Sequence, residues 1–386
     1  MIVPKNKLRA VRHCPMRLIA FYLPQYHPIP ENDRWWGKGF TEWTNVSKAQ
    51  PLFRGHYQPH LPADLGFYDL RLDEVREEQS ELARHYGIYG FCYYYYWFQG
   101  RRLLERPLNE ICRTKRPDFP FCVCWANEPW TRNWDGKPSE ILLQQVHTRE
   151  SDERFILDLL PILKDERYIR INGRPLLLIY RTELFPDIAG TVLAWRDVAD
   201  RHGVDLFLCR LESFSACDPA AIHFDAACEF PPNFVGVNPE AAPRLEFHAE
   251  GPGAFAGKIY DYEKLARLLR HRPDAHYKRF LGATPSWDNT PRSGARATVF
   301  INSSPDRFRQ MLTTAVRKTS DRFRGDEQIV FINAWNEWAE GCHLEPDQRY
   351  GHAFLEACKT ALAGLGRRSR PAAMEGWESF VPYRKS

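Results

Sequence analysis

Near its C-terminal end the chain reads Ile329-Val330-Phe331-Ile332-Asn333-Ala334-Trp335-Asn336-Glu337-Trp338-Ala339-Glu340-Gly341. The first four residues have the length and β-branching of a core strand, and two acids follow at that strand's mouth. A spacing of i,i+3 sends Glu337 and Glu340 to opposite faces of a continuing strand but to one side of a helical turn. A strand that ends near Asn336 therefore lets both carboxylates converge on one ligand. Glutamates after a strand are ordinarily solvated, and the tryptophans suit a core equally well. Between two indoles, however, a carboxyl is costly to desolvate unless its protonation is being tuned, which is what a general acid requires.

Working outward, the same design of an apolar run ending in polar and aromatic residues recurs along the chain. Strands are expected at Leu18 to Tyr22, Gly90 to Trp97, Phe121 to Trp125, Pro175 to Tyr180, Leu206 to Leu211, Asp225 to Phe230 and Phe280 to Pro285, making eight with the one at Ile329. Helical spacing runs from Asp69 to Tyr86, with Gly87 as its stop, and more weakly from about Leu104 to Cys112. Further helices are expected from Asp152 to Leu163, bent at Pro161, and from Ile188 to Ala199. Asp261 caps another, Ser304-Pro305 opens one that runs through Val316, and the last covers Tyr350 to Leu362.

Eight strands, each followed by a helix or a long polar stretch, predict an α/β fold: a single (β/α)8 TIM barrel with elaborated βα loops. The polar and aromatic residues gather at the C-terminal ends of the strands, the face where such barrels keep their sites. The competing fold, a doubly wound open sheet, needs a phosphate-binding glycine turn after an early strand. The nearest match, Gly251-Pro252-Gly253, follows no good strand. The expected layout is an N-terminal extension over 1–16, the barrel over 17–365 and a C-terminal tail over 366–386. About forty residues separate Tyr22 from the first convincing helix; with Trp35, Trp36, Phe40 and Trp43 inside it, this segment reads as a functional loop.

The net charge of +4 is spread along the sequence, which gives no argument for nucleic acid or an anionic membrane as a partner. No stretch has the length of uninterrupted apolar residues that a transmembrane helix needs. The basic N-terminus leads into a run broken at Pro24 with no small-residue cleavage site, so no signal peptide is read. Cysteines inside apolar runs, without a C-x-x-C pair, predict buried reduced thiols in a cytoplasmic protein. Oligomeric state is not legible. Aromatics make up 14% of the chain, with 12 tryptophans and 17 tyrosines, residues whose faces and polar tips suit sugar rings.

Several chemistries find no residues. The chain has no G-x-S-x-G elbow, no H-E-x-x-H, no P-loop and no D-x-D pair. His56 and His60 have the i,i+4 spacing of metal ligands, but Pro59 and Pro62 argue against a helix there and no third ligand is evident, so neither a metal nor any other cofactor is expected. What remains is the pair Glu337 and Glu340 as catalytic candidates, with further acids Glu42, Glu128, Glu212, Glu229 and Asp288 at neighbouring strand ends. Aromatic candidates for sugar binding are Tyr26, Trp36, Trp43, Tyr96, Trp97, Trp125, Trp130, Trp287 and Trp338, and polar ones are His27, Asn127 and Asn336. Glycoside chemistry needs this combination: one carboxyl protonates the departing oxygen, a second supports substitution at the anomeric carbon, and aromatics hold the sugar. Of the run Tyr93 to Tyr96, only one alternate pair can point into a barrel; the other packs on helices.

The segments Phe21 to Pro28, Trp35 to Val46, Trp125 to Trp130, Pro285 to Arg292 and Asn333 to Gly341 together make the chain resemble the WbsX-type proteins, which are similar to glycoside hydrolase family 99 and often encoded with bacterial polysaccharide assembly genes. The resemblance spans about Leu18 to Leu362. It implies a (β/α)8 barrel acting on an oligosaccharide or polysaccharide. By similarity to the W-x-E-x-x-E arrangement of family 99, Glu337 would be the base on the sugar's own 2-hydroxyl, giving a 1,2-anhydro sugar, and Glu340 the acid, then base. WbsX-type proteins are also described as glycosyltransferases, so transfer from an activated sugar is an alternative. A noncatalytic glycan-binding barrel is another, and a metal-dependent deacetylase is the least favoured.

Overall fold

The computed structural model describes residues 16–132, 140–233 and 255–366; the expected extension and tail, and the glycine turn at 251–253, lie outside them apart from Met16 and Gly366. Eight strands form the barrel: β1 (Arg17–Tyr22), β2 (Ile88–Phe98), β3 (Phe121–Trp125), β4 (Arg174–Ile179), β5 (Phe207–Glu212), β6 (Ala226–Glu229), β7 (Arg279–Ala283) and β8 (Ile329–Ile332). Each pairs in parallel with its neighbour in sequence, and β8 pairs back onto β1 and closes the ring. All eight fall where the apolar runs placed them, within two residues at either end.

The outer layer consists of α1 (Asp73–His85), α2 (Arg106–Thr114), α3 (Arg149–Leu163), α4 (Ile188–Arg201), α5 (Tyr262–His271), α6 (Pro305–Arg322) and α7 (Ala353–Gly366). Four of their starts are set by side chains that satisfy free backbone N–H groups: Thr148 accepts from Ser151, Asp187 from Gly190, Asp261 from Glu263 and Ser304 from Arg307. The helix α3 passes through Pro161, which lies in its last turn. Between β5 and β6 there is only a short 3-10 turn, Pro219–Ile222. The fully buried Arg210 replaces the missing helix by tying that connection down, donating to Ser215 Oγ at 2.7 Å and to the Ser215 carbonyl at 3.1 Å.

The long β1 loop contains two short helices, Pro30–Trp36 and Glu42–Lys48, that periodicity did not reveal. At seven residues each they are too short for a 3.6-residue pattern to repeat twice. No helix among the described residues is long and apolar enough to cross a membrane. The nine cysteines among the described residues are all free.

The candidate active site

After β8 the chain turns into a two-residue strand, Asn336–Glu337, that pairs antiparallel with Cys342–His343, and a 3-10 turn, Trp338–Glu340, joins them. In a 3-10 turn side chains three apart eclipse, so Glu337 and Glu340 face the same way. Gly341 closes the turn at φ +55°, where a Cβ would stand 2.9 Å from the Asp288 side chain. Asn336 points away from the site: its side chain accepts from Leu23 N at 2.7 Å and donates to Leu23 O at 3.0 Å, fastening the turn to the end of β1.

Both glutamates are gripped by one arginine. Arg292 donates from Nη2 to Glu337 Oε2 at 2.8 Å, from Nη1 to Glu340 Oε1 at 2.6 Å, and from Nε to Glu42 Oε1 at 2.6 Å. Gln25 Nε2 completes the far side of Glu42 at 3.0 Å. Three carboxylates on one guanidinium leave an excess of negative charge in a place where charge is expensive, so protons are retained. Burial, with Glu340 and Glu42 adding to it against the pull of Arg292, pushes Glu337 up to about 8. Burial, reinforced by Glu42, also raises Glu340. The three carboxylates outweigh burial at Arg292 and keep it charged.

These groups open onto a cavity of about 310 Å³ at the C-terminal mouth of the barrel. Its aromatic wall is Tyr94 and Tyr96 from β2, Tyr180, Trp130, Trp36 and Trp287, and its polar floor holds Glu337, Glu340 and Arg292. Glu128 lies at the rim, paired with Arg181, its carboxyl raised by burial against that pairing.

Of the residues expected from sequence, Glu337, Glu340, Glu128, Tyr96, Trp36, Trp130 and Trp287 line this cavity, and Glu42 reaches it through Arg292. Tyr26, His27, Trp43, Asn127, Asn336 and Trp338, expected to touch the substrate, do not line the cavity and stand behind it as support. The Tyr26 hydroxyl bridges the carbonyl of Asn336 and the amide of Trp338, and Trp43 packs on both Tyr26 and Trp338. Trp338 donates to Glu345 at 2.6 Å. Asn127 joins the ends of β3 and β4 through two 2.8 Å bonds to the Arg181 backbone. His27 is buried with Nδ1 at 3.2 Å from the Pro28 carbonyl.

Five further expectations are corrected. Trp97 and Trp125 point out of the barrel: Trp97 Nε1 donates to Asp158 of α3 at 2.9 Å, and Trp125 stacks on Phe155 with centroids 3.8 Å apart. Strand alternation put Tyr94 and Tyr96 inside and their neighbours outside. Glu229 and Glu212 also face outward: Glu229 meets Arg272 at 2.9 Å and Arg279 at 3.2 Å, and Glu212 meets Arg272 at 3.2 Å. Asp288 faces a neighbouring cavity and accepts from Gln58 at 2.8 Å, with His56 Nε2 2.7 Å away. Sequence reasoning did not single out Arg292, Tyr94 or Tyr180. Arg292 had a signal: three acids assembled at one mouth require a cation.

Residues 18–358 match the family described as glycosyltransferase WbsX. Two sequences from strains of Xanthomonas campestris pv. campestris, both called uncharacterized protein WxcX, are 45% identical over 349 residues, which is 90% of this chain and 50% of each relative. The chain thus spans about half the length of the curated relatives it matches. Among solved structures, a glycoside hydrolase-like protein superposes with a TM-score of 0.57 at 14% identity, covering 94% of this chain and 97% of its own. The GH99 endo-alpha-mannosidase from Bacteroides thetaiotaomicron gives 0.54 at 14% identity, covering 91% and 98%. At that identity the likeness is one of fold.

Proposed function

The chain belongs to the WbsX glycosyltransferase family, and from that premise we propose that it is a carbohydrate-active enzyme that cleaves or transfers a glycosidic bond in a bacterial surface polysaccharide or its lipid-linked precursor. The observation that carries this reading is the position of Glu337 and Glu340 on one turn, both held by Arg292, under an aromatic-walled cavity. Tyr94, Tyr96 and Trp287 offer faces for sugar rings. Burial and crowding raise both Glu337 and Glu340, so the pair retains a proton as one unit; the reaction needs that proton on Glu340, the acid, with Glu337 ionised against Arg292 as the base.

In this reading Glu340 protonates the leaving group while Glu337 takes the proton from the sugar's 2-hydroxyl, whose oxygen displaces the leaving group. The resulting 1,2-anhydro sugar is opened at C1 by water or by an acceptor hydroxyl, with Glu340 now the base that takes the incoming proton and Glu337 returning its proton to O2, and the configuration is retained. Arg292 sets the spacing of the two carboxylates and balances the charge that passes between them.

The family's description favours a second reading, transfer from an activated sugar donor. A panel of defined oligosaccharides, with and without sugar nucleotides, followed by product analysis, separates the two. Release of a reducing end or transglycosylation without a nucleotide supports the first reading, and product formed only with a nucleotide sugar supports the second. Binding with neither product leaves a glycan-binding barrel and rejects both.

A further inference from the structure

Beside the candidate active site lies a larger cavity, of about 770 Å³, separated from it by Trp287, which lines both. His60 and Asp347 stand on its wall, and His343 lies against both. His60 comes from the β1 loop, and His343 and Asp347 from the segment after the glutamates. His60 Nδ1 is 3.1 Å from His343 Nε2, and His343 Nε2 is 3.8 Å from Asp347 Oδ2. All three atoms lie within 4.8 Å of one another. Bonds of about 2.0–2.1 Å to a tetrahedral ion hold ligand atoms about 3.3 Å apart, so the cluster needs only small side-chain movements to fit one.

The hydrogen bonds around the cluster prepare it for a cation. His343 Nδ1 is 3.0 Å from the Glu345 carbonyl, and a carbonyl can only accept, so Nδ1 carries the proton and Nε2 of the neutral ring presents a lone pair. Asp347 Oδ1 accepts the amides of Arg349, at 2.9 Å, and Tyr350, at 2.5 Å, which turns Oδ2 toward His343. Lone pair and carboxylate oxygen are thus two acceptors facing each other. One proton on His60 can answer only part of this demand. A backbone carbonyl on the far nitrogen is also the kind of outer partner that orients metal-bound histidines. Asp288 and His56, on the same wall, are paired with each other and leave the three-residue set distinct.

We propose that His60 Nδ1, His343 Nε2 and Asp347 Oδ2 form a site for one divalent transition-metal ion of the zinc class, reached through this second cavity. Imidazole nitrogens with one carboxylate suit such an ion better than magnesium or calcium, which prefer oxygen. His343 stacks on Trp338 with centroids 3.7 Å apart and pairs with Asn336 across the hairpin that carries Glu337. The ion would therefore brace the β1 loop against that hairpin. This site stands whether or not the reaction proposed above is correct.

The test is to strip the full chain with a chelator and titrate it with cobalt(II), following visible absorption, and then with zinc(II) by calorimetry. One equivalent of cobalt should produce the ligand-field bands of four- or five-coordinate ions, and zinc should abolish them. His60→Gln and Asp347→Asn should each weaken binding beyond the ~10–100-fold loss typical of an outer partner. Asp347→Asn retains the oxygen that accepts the two backbone amides. His352→Gln, at the partly exposed pair with Asp64, should bind as the wild type does. Thermal melts report folding of each variant, and the wild-type titration decides the matter if one fails to fold. No ligand-field bands at one equivalent in the wild type, or unchanged binding in folded His60→Gln and Asp347→Asn, would overturn the proposal.

Discussion

Arg292 Nη2 donates to Glu337 Oε2 across 2.8 Å, joining the loop after β7 to the turn after β8, and its other two nitrogen positions hold Glu340 and Glu42. A lysine ammonium is a point charge and cannot reproduce that three-way fork. Arg292→Lys should therefore fold but lose at least about 100-fold in kcat/KM, the scale of a displaced electrostatic group. Arg292→Met should in addition lose about 3–5 kcal/mol of stability, because it strands buried carboxylates. Denaturant unfolding beside steady-state kinetics checks both outcomes.

The same crowding sets a pH dependence. With Glu337 pushed up to about 8 and Glu340 also raised, the pair behaves as one acid that gives up its last proton on the alkaline side. Activity should fall as pH rises through about 8, since proton donation ends there. For stability the sign is the same. The folded state binds the Glu337 proton more tightly than an unfolded glutamate with its usual value near 4.3, so this contribution is full below that value and lost as pH rises to about 8. Removing Arg292 should move the kinetic limb to still higher pH. A limb that stays fixed in Arg292→Met would show that these carboxylates are not the titrating groups.

Trp97 and Tyr96, adjacent in β2, should respond in opposite ways. Trp97 is buried against α3 through Asp158, so Trp97→Ala should cost about 3–5 kcal/mol and leave KM unchanged in whatever protein remains folded. Tyr96 lines the cavity, so Tyr96→Ala should raise KM with a smaller loss of stability. Glu229→Ala should follow Trp97, destabilising by about 3–5 kcal/mol through the stranded Arg272 and Arg279 without changing substrate affinity. Chemical denaturation and Michaelis kinetics on the four proteins distinguish these patterns.

These contrasts show what the residues alone could carry. The eight strands were legible because runs such as Phe121 to Trp125 and Ile329 to Ile332 are apolar throughout, which also explains why the facing of Trp97 and Trp125 was not. In a strand buried on both sides no polar alternation marks the inner face, and a shift of one residue exchanges cavity for helix layer. The pair Glu337 and Glu340 was legible because its spacing has a different meaning in a strand and in a turn. Glu229 was misplaced because an acid at a strand end looks the same facing the mouth or facing Arg272. His60 could not be matched with His343 and Asp347, since only chain closure brings β1 and β8 together.

The last prediction separates the roles of the two glutamates. If the sugar's own 2-hydroxyl attacks first, substitution occurs twice at the anomeric carbon and the product keeps its configuration. Glu340→Gln removes proton donation to the leaving group, a loss that a substrate with an already acidic leaving group should partly hide. Glu337→Gln removes activation of the 2-hydroxyl, and no leaving group can compensate for that. A 2-deoxy or 2-fluoro substrate should bind yet fail to react in the wild type, because the internal nucleophile is missing while both carboxylates and Arg292 remain in place. Retention, the selective rescue of Glu340→Gln and the inertness of the 2-substituted sugars should therefore occur together, as read by NMR of the product and by initial rates. Rapid turnover of a 2-fluoro sugar, or inversion at the anomeric carbon, would reject the internal nucleophile even if both glutamates proved essential, and would turn the assignment of Glu337 toward activating an external acceptor.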